Sequence, residues 1–110
     1  MEINEQKTDQ GIIIGVIGRL DTTNYSMLEK KLMDLIDSNH HKILVECSKM
    51  DYISSSGLRI LLMGLKKITL LKGKFALCGL QENINEIFEI SGFTSIFEIY
   101  STKEDALKVF

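Results

Sequence analysis

Three consecutive serines, Ser54 to Ser56, stand directly before Gly57 and are the hydroxyl groups best placed to carry chemistry in this chain. The run Lys42–Cys47 precedes them, and its branched apolar residues predict a buried strand. A leucine-rich run at helical spacing follows them. Serine side chains accept hydrogen bonds from the unpaired N–H groups at a helix N-terminus. The stretch therefore predicts a strand-to-helix turn, with hydroxyls at the positive end of a helix dipole, where a phosphate would be electrostatically tolerated.

An enzyme would need further groups around these hydroxyls, and the sequence offers no such constellation. The only histidines, His40 and His41, are adjacent in a predicted loop, and neighbouring residues rarely ligate one metal with good geometry. The nucleophile-elbow, phosphate-loop and dinucleotide-binding motifs are absent. Cys47 and Cys78 lie in apolar runs and are expected to be reduced core residues. We therefore expect no catalysis, no cofactor and no metal.

Length and charge limit the remaining classes. A chain of 110 residues, 45% of them hydrophobic and 25% charged, predicts one globular domain over 1–110. The net charge is −2, and the only modest basic cluster is Arg59, Lys66 and Lys67, which argues against nucleic-acid binding. Apolar runs are too short for a membrane span, and no signal-peptide pattern opens the chain. We expect a cytoplasmic protein that binds neither membrane nor nucleic acid.

Hydrophobic periodicity predicts an α/β domain of order β-β-α-β-α-β-α-β-α. Asp21 or Thr22 is expected to cap a first helix of about 16 residues, and Thr102 the last one. Strands joined by helices should be mainly parallel with right-handed crossovers. The predicted strands are 2–8 (a weak edge strand), 11–20, 43–47, 75–80 and 95–100, and a further helix over 81–90 should end at Gly92.

The helix after Gly57 is predicted to have two different faces. Its core face is expected to carry Leu58, Leu61, Leu62 and Leu65. Its other face would carry Arg59, Ile60, Met63 and Lys67, where a plain surface helix is polar. Two interpretations are open: the apolar residues of this second face pack against a neighbouring helix, or they meet a partner protein.

The stretch Tyr52–Leu58 resembles the signature of STAS domains, and within them the small bacterial anti-anti-sigma factors. Gly18–Asp21 and Glu89–Phe93 extend the resemblance, so three motifs occur in the family's order over the whole chain. The resemblance implies a mixed, mainly parallel sheet with about four α-helices chiefly on one side. Tyr52 and Ile53 are expected to be buried at the end of the strand that precedes the serines.

The resemblance also implies a function. In the family, the serine two residues before the motif's glycine is phosphorylated by the anti-sigma factor, and here that residue is Ser55. The family's preceding acid is replaced by Ser54, and the nearest acid is Asp51. The unphosphorylated domain, a monomer when free, would bind an anti-sigma factor of the histidine-kinase-like ATPase fold and release a sigma factor, and a PP2C-type phosphatase would reset it. The expected partner surface is Asp21, Ser54, Ser56, Gly57, Arg59, Ile60, Met63 and Lys67.

Two other interpretations remain open at this point. The chain could be a non-switching STAS module that scaffolds a larger assembly or binds a small ligand, in which case the serines would serve only as helix caps and turn hydroxyls. It could also be a receiver-like protein phosphorylated on Asp51. Receivers carry paired acids after their first strand, whereas 11–20 contains no acid and Asp21 stands alone.

Overall fold

The computed structural model describes all 110 residues and builds six strands and four α-helices around one sheet. A short 3₁₀ turn, Phe93–Ser95, precedes the last strand. The predicted α/β class is confirmed. In chain order the elements are β1 (Glu2–Lys7), β2 (Ile12–Leu20), α1 (Tyr25–Asp37), β3 (Lys42–Glu46), β4 (Met50–Ile53), α2 (Ser55–Leu70), β5 (Lys74–Cys78), α3 (Glu82–Ile90), β6 (Glu98–Tyr100) and α4 (Lys103–Leu107).

The sheet is mixed but mainly parallel, as predicted. Its strands lie in the order β1-β2-β3-β5-β6, and β4 lies beside the end of β2. Only β1 is antiparallel to its neighbour, and every other pairing is parallel. β4 was not predicted as a separate strand, because four residues with only Met50 and Ile53 buried give too short a pattern. It pairs with β2 through Gly18 and Leu20, with a register shift between Gly18 and Arg19.

The two faces of the sheet are covered unequally, which confirms the predicted placement of the helices. Alternate residues of β2 point to opposite faces, so Ile12 and Ile14 lie on one side and Ile13 on the other. Helices α1, α2 and α3 cover the first side and share one large core with it. Only α4 covers the second side, where Ala106 packs on Leu44 and its neighbours. No helix combines the length and the apolar character needed to cross a membrane.

The predicted core face of α2 is correct only in part, because the helix is rotated from the expected orientation. Leu61 is buried as predicted, and Leu58, Leu62 and Leu65 pack against the main core but are only half-buried. Ile60, expected on the outer face, is 3% exposed and belongs to the core. The reason is the small size of two glycines, which lets this stripe of the helix lie close to the sheet. The buried residues of α2 are Gly57, Ile60, Leu61, Gly64 and Ile68.

Several predicted helix ends are confirmed. Thr102 accepts a hydrogen bond from the Asp105 N–H at 3.1 Å and so caps α4. Gly92 follows α3 with φ of 77°, in the left-handed region that favours glycine. The last strand is shorter than predicted, because 93–95 form the 3₁₀ turn and β6 begins at Glu98.

Candidate functional site

Two connecting segments meet at one edge of the sheet and form what we call the edge site: the loop 21–24 and the turn 54–56. β2 and β4 run parallel, with Leu20 opposite Ile53. The Ser54 N–H donates to the Leu20 carbonyl at 2.9 Å, so the two strand ends are joined directly. Asp21 and Ser54 are the next residues on each strand. Asp21 and Ser54 thus lie at the same edge, although they are 33 positions apart in the sequence (54 minus 21).

The three serines have different structural roles. Ser54 is the N-cap of α2, with extended backbone, and its Oγ accepts from the Gly57 N–H at 3.2 Å. This confirms the predicted strand-to-helix turn. Ser55 is the first residue of α2, is exposed, and its hydroxyl takes part in none of the hydrogen bonds of the structure. Ser56 also makes no side-chain hydrogen bond but is half-buried. Ser55 therefore offers the most accessible hydroxyl of the three.

Gly57 has a structural role that the sequence analysis missed. It is buried, and a Cβ built on it would lie 2.8 Å from Leu20 Cγ and 2.9 Å from Ile53 Cγ1. Gly57 itself therefore presents little surface to a partner. Gly57 allows the first turn of α2 to approach the ends of β2 and β4, and this approach fixes the serine turn against the sheet.

Asp21 caps the turn through which the chain enters α1. Its Oδ1 accepts from the Thr23 N–H at 2.9 Å and from the Thr23 hydroxyl at 2.6 Å. Its carbonyl accepts from the Tyr25 N–H at 2.9 Å, so the predicted cap is confirmed for the turn 22–24, whereas α1 itself begins later than predicted, at Tyr25. Asn24 closes the turn, since its Oδ1 accepts from the Asp21 N–H and its Nδ2 donates to the Arg19 carbonyl.

Hydrogen bonding keeps the Asp21 carboxylate charged. The bonds from Thr23, helped by the Arg19 guanidinium at 3.5 Å, hold the pKa of Asp21 below its ordinary value. Asp21 is therefore ionised at neutral pH. The edge site thus presents a fixed negative charge on one loop and a free hydroxyl on the other.

Two arginines stack on tyrosines beside the edge site. Arg19 Cζ lies 4.0 Å from the centroid of the Tyr52 ring, and Arg59 Cζ lies 5.8 Å from that of Tyr25. The expected burial of Tyr52 is wrong: the residue is 39% exposed, because β4 lies off the main path of the sheet and Arg19 covers only part of the ring. Ile53 is buried as expected. Arg19, Tyr25 and Asn24 are site residues that the sequence analysis did not predict, although Arg19 belongs to the Gly18–Asp21 motif.

The outer face of α2 continues from Ser55. Arg59 and Lys67 are exposed and Met63 is half-buried, so these three lie on the side that was predicted. They border a shallow groove of about 320 Å³ together with Leu62 and Lys66. The first turn of α2 contains no acidic residue. An anion at the N-terminus of this helix would therefore meet the helix dipole and Arg59, and the opposing negative charge of the edge site is that of Asp21 on the neighbouring loop.

The acid, the cysteines and the histidines that the sequence analysis considered do not form a further reactive site. Asp51 is exposed on β4. Cys47 and Cys78 are unpaired and buried, as expected, and burial raises the pKa of both thiols, that of Cys78 to about 12. The two histidines are half-buried in the loop before β3. No group of three or more His, Cys, Asp or Glu side chains is arranged to hold a metal ion.

Fold and site together define a small α/β regulatory domain of the STAS type. The model of the STAS domain family matches residues 2–106, and the chain belongs to that family. BtrV of Bordetella bronchiseptica, described as an anti-sigma factor antagonist, is 34% identical over 110 residues, which cover 100% of this chain and 95% of BtrV. Within the STAS family, the chain therefore belongs to the anti-sigma factor antagonists. The predicted family is confirmed.

Solved structures show the same fold. An anti-sigma factor antagonist of Thermotoga maritima superimposes with a TM-score of 0.92 at 23% identity, covering 96% of this chain and 92% of that one. The Bacillus cell fate determinant SpoIIAA in its phosphorylated form gives a TM-score of 0.77 at 18% identity, with 97% of each chain covered. SpoIIAA has also been solved unphosphorylated, with a TM-score of 0.84, 18% identity, and 96% and 93% covered.

Proposed function

We propose that this domain is a phosphorylation-controlled binding module. In the unphosphorylated state it would bind an anti-sigma factor of the histidine-kinase-like ATPase fold, and the sigma factor held by that partner would be released. The partner would then phosphorylate Ser55 with its own ATP and end the complex, and a PP2C-type phosphatase would restore the free hydroxyl. The domain itself would catalyse nothing.

The observation that carries this proposal is the state of the Ser55 hydroxyl. It is exposed at the first position of α2 and has no hydrogen-bond partner within the chain, whereas the Ser54 hydroxyl is used as the helix cap. Serine is a nucleophile toward a phosphoryl group only if a partner's nucleotide can reach it. SpoIIAA, which shares this fold, has been solved with and without phosphorylation, and BtrV is described as an anti-sigma factor antagonist.

The proposed partner surface surrounds Ser55 on both segments of the edge site and continues along α2. Asp21 supplies a fixed negative charge, and Arg59 and Lys67 supply positive ones at known positions. Met63 is the apolar side chain between these two basic residues. Such an alternation of charge around a small apolar centre is typical of interfaces that combine specificity with reversible binding. Ser56 completes the surface beside Ser55.

The charge and the size of a phosphate on Ser55 would be sufficient for the switch. A phosphate adds about −1.5 to −2 charges and three acceptor oxygens. At the N-terminus of α2 it is compatible with the folded domain, because the helix dipole favours an anion there. It would oppose a partner that had bound the neutral hydroxyl. A 100-fold loss of affinity needs about 2.7 kcal/mol, which one misplaced charge at an interface can supply.

Phosphopeptide mapping tests the acceptor. After incubation with the cognate anti-sigma factor and ATP, we expect phosphate on Ser55, none on the Ser55→Ala variant, and full incorporation in Ser56→Ala. The phosphate should be acid-stable and resist hydroxylamine, as a serine ester does. A hydroxylamine-labile phosphate would instead indicate Asp51, and phosphate on Ser54 or Ser56 would refute the assignment.

Binding measurements test the switch itself. We expect calorimetry to show at least about 100-fold weaker binding of the anti-sigma factor by the phosphorylated protein, and a smaller loss for Ser55→Asp, which carries less charge. Equal affinity of both forms would favour the non-switching STAS module instead.

The setting of this circuit is also a proposal. A kinase partner that uses ATP and a sigma factor that acts in transcription would place the domain in the cytoplasm. The two unpaired cysteines fit a reducing compartment. We propose that the free domain is a monomer there, which sedimentation at working concentration would check.

A further inference from the structure

A second groove lies beside the C-terminal half of α2, away from the edge site. It has a volume of about 410 Å³, and its lining includes Ile96, the residue that follows the 3₁₀ turn. Its surface is almost wholly apolar, and two of its aliphatic residues are well exposed, Leu70 at 83% and Ile96 at 50%. Neighbouring exposed aliphatic side chains of this kind are able to serve as a contact surface for another molecule. The lining residues are Leu62, Leu65, Lys66, Thr69, Leu70 and Ile96.

One border of this apolar groove is basic. Lys66 lines it and also lines the neighbouring shallow groove, where Arg59 and Lys67 lie. None of these three cations has an ion-pair partner: the ion pairs of the structure involve Arg19, Lys30, Lys31 and Lys108. The groove therefore combines an apolar floor with positive charge on one side that no carboxylate of this chain neutralises.

We propose that this apolar groove binds an amphipathic helix of a partner protein, with leucine-like side chains on one face and Asp or Glu along one border. A helix laid in a groove presents apolar residues at i, i+3, i+4 and i+7, which can contact the aliphatic side chains that line this groove. The acidic border would meet Lys66 and its basic neighbours. A two-fold dimer would instead add a second basic border and no acidic one, so charge complementarity favours a partner with carboxylates.

This inference goes beyond the proposed function, because the end of the groove at Leu70 is remote from Ser55. Leu70 lies 15 residues after Ser55 on the same helix, by the difference between 70 and 55, which corresponds to about 22 Å at the rise of an α-helix. Electrostatic effects between exposed charges are largely screened beyond about 8 Å at physiological salt. A phosphate on Ser55 would thus have little direct electrostatic effect on a helix held at the Leu70 end of the groove.

Fluorescence anisotropy with the full chain tests the inference. The probe is a labelled, side-chain-stapled helical peptide with leucines at i, i+3, i+4 and i+7 and glutamates along one border; a matched peptide has lysines in place of the glutamates. We expect only the glutamate peptide to bind, more weakly as salt rises. Leu70→Gln and Ile96→Gln should each weaken binding at least tenfold. Lys66→Glu should weaken the glutamate peptide and improve the lysine peptide.

A variant outside the groove serves as the control. Val109 is an exposed aliphatic residue beyond α4, so Val109→Gln should bind the glutamate peptide as the unchanged protein does, and circular dichroism should show every variant folded. No binding, or equal binding of both peptides, would overturn the inference. So would a dimer in sedimentation that Leu70→Gln dissociates, or binding to phosphatidylserine vesicles but not to the peptide. The assay contains neither kinase nor ATP, so its result is independent of Ser55 phosphorylation.

Discussion

The buried and exposed faces of α2 follow one helical period but are made of different kinds of residue. The buried face alternates two glycines, Gly57 and Gly64, with branched side chains such as Ile60. The exposed face carries a free hydroxyl at Ser55 and the charge of Arg59. On the buried face, the neighbouring side chains limit the size of each residue, whereas on the exposed face few neighbours within this chain do so. The exposed face is therefore free to contact other molecules.

The two faces also depend on each other at the start of the helix. Gly57 brings the first turn of α2 against Leu20 and Ile53, and Ser54 caps the same turn through the Gly57 N–H. Close packing on one side thus holds the Ser55 hydroxyl outward on the other. A substitution that disturbs the packed side should change stability first, while one on the outer side should change binding alone.

The largest expected effect is on the buried face. Ile60→Ala should lower the free energy of unfolding by about 2–5 kcal/mol, because it leaves a cavity between α2 and the sheet. Urea denaturation measures this directly. An exposed residue of the same helix supplies the control, since Lys67→Ala should stay within about 0.5 kcal/mol of the unchanged protein. Similar stabilities for both variants would place Ile60 on the outer face after all.

Gly57→Ala should have the next largest effect. The added methyl would meet Leu20 and Ile53 at distances below 3.0 Å, and overpacking of this kind costs about 1–3 kcal/mol. Gly64→Ala supplies the comparison, because Gly64 lies in the interior of the same helix, where alanine is favoured, and the nearest atom there is the Phe75 ring at 3.1 Å. Urea denaturation should show the greater loss for Gly57→Ala. The reverse order would mean that Leu20 and Ile53 can move aside more easily than the ring.

Met63→Ala tests the exposed face. Met63 is half-buried at the edge of the core and lies between basic residues that face outward. We expect the variant to lose about 1 kcal/mol or more of anti-sigma factor binding, as buried interface anchors do, and less stability than Ile60→Ala loses. Calorimetric binding and thermal melts of the same samples check both. Unchanged binding with several kcal/mol of lost stability would assign Met63 to the core alone.

The smallest expected effect concerns the charge on the neighbouring loop. The pKa of Asp21 is lowered in the folded state, so its ionised form stabilises the fold above the unfolded-state pKa and loses this contribution as pH falls through the folded-state value. Asp21→Asn keeps an acceptor oxygen for Thr23 but not the charge. Thermal melts should therefore show a higher melting temperature for the unchanged protein than for the variant at neutral pH. The difference between the two should be smaller near pH 3. A difference that is constant with pH would mean that the charge contributes nothing.

Sequence pattern was sufficient wherever neighbours along the chain decide the structure. The alternation of β2, the cap at Ser54, the left-handed Gly92 and the cap at Thr102 depend on residues within a few positions of one another. The resemblance then identified the family, because its three motifs stand in order along the chain. Each of these features is encoded by local spacing, and each could be predicted without the tertiary structure.

Only the tertiary structure decided which face of α2 is buried and which loops meet. The leucines of α2 predicted one core face, but glycines pack more closely than leucines where another strand approaches, so Gly57, Ile60 and Gly64 became the buried stripe. Similarly, Asp21 and Ser54 lie at one edge because β4 pairs with β2 across a long separation in sequence. No local pattern encodes such a pairing, since it is set by the surface that each strand buries once the whole sheet has formed.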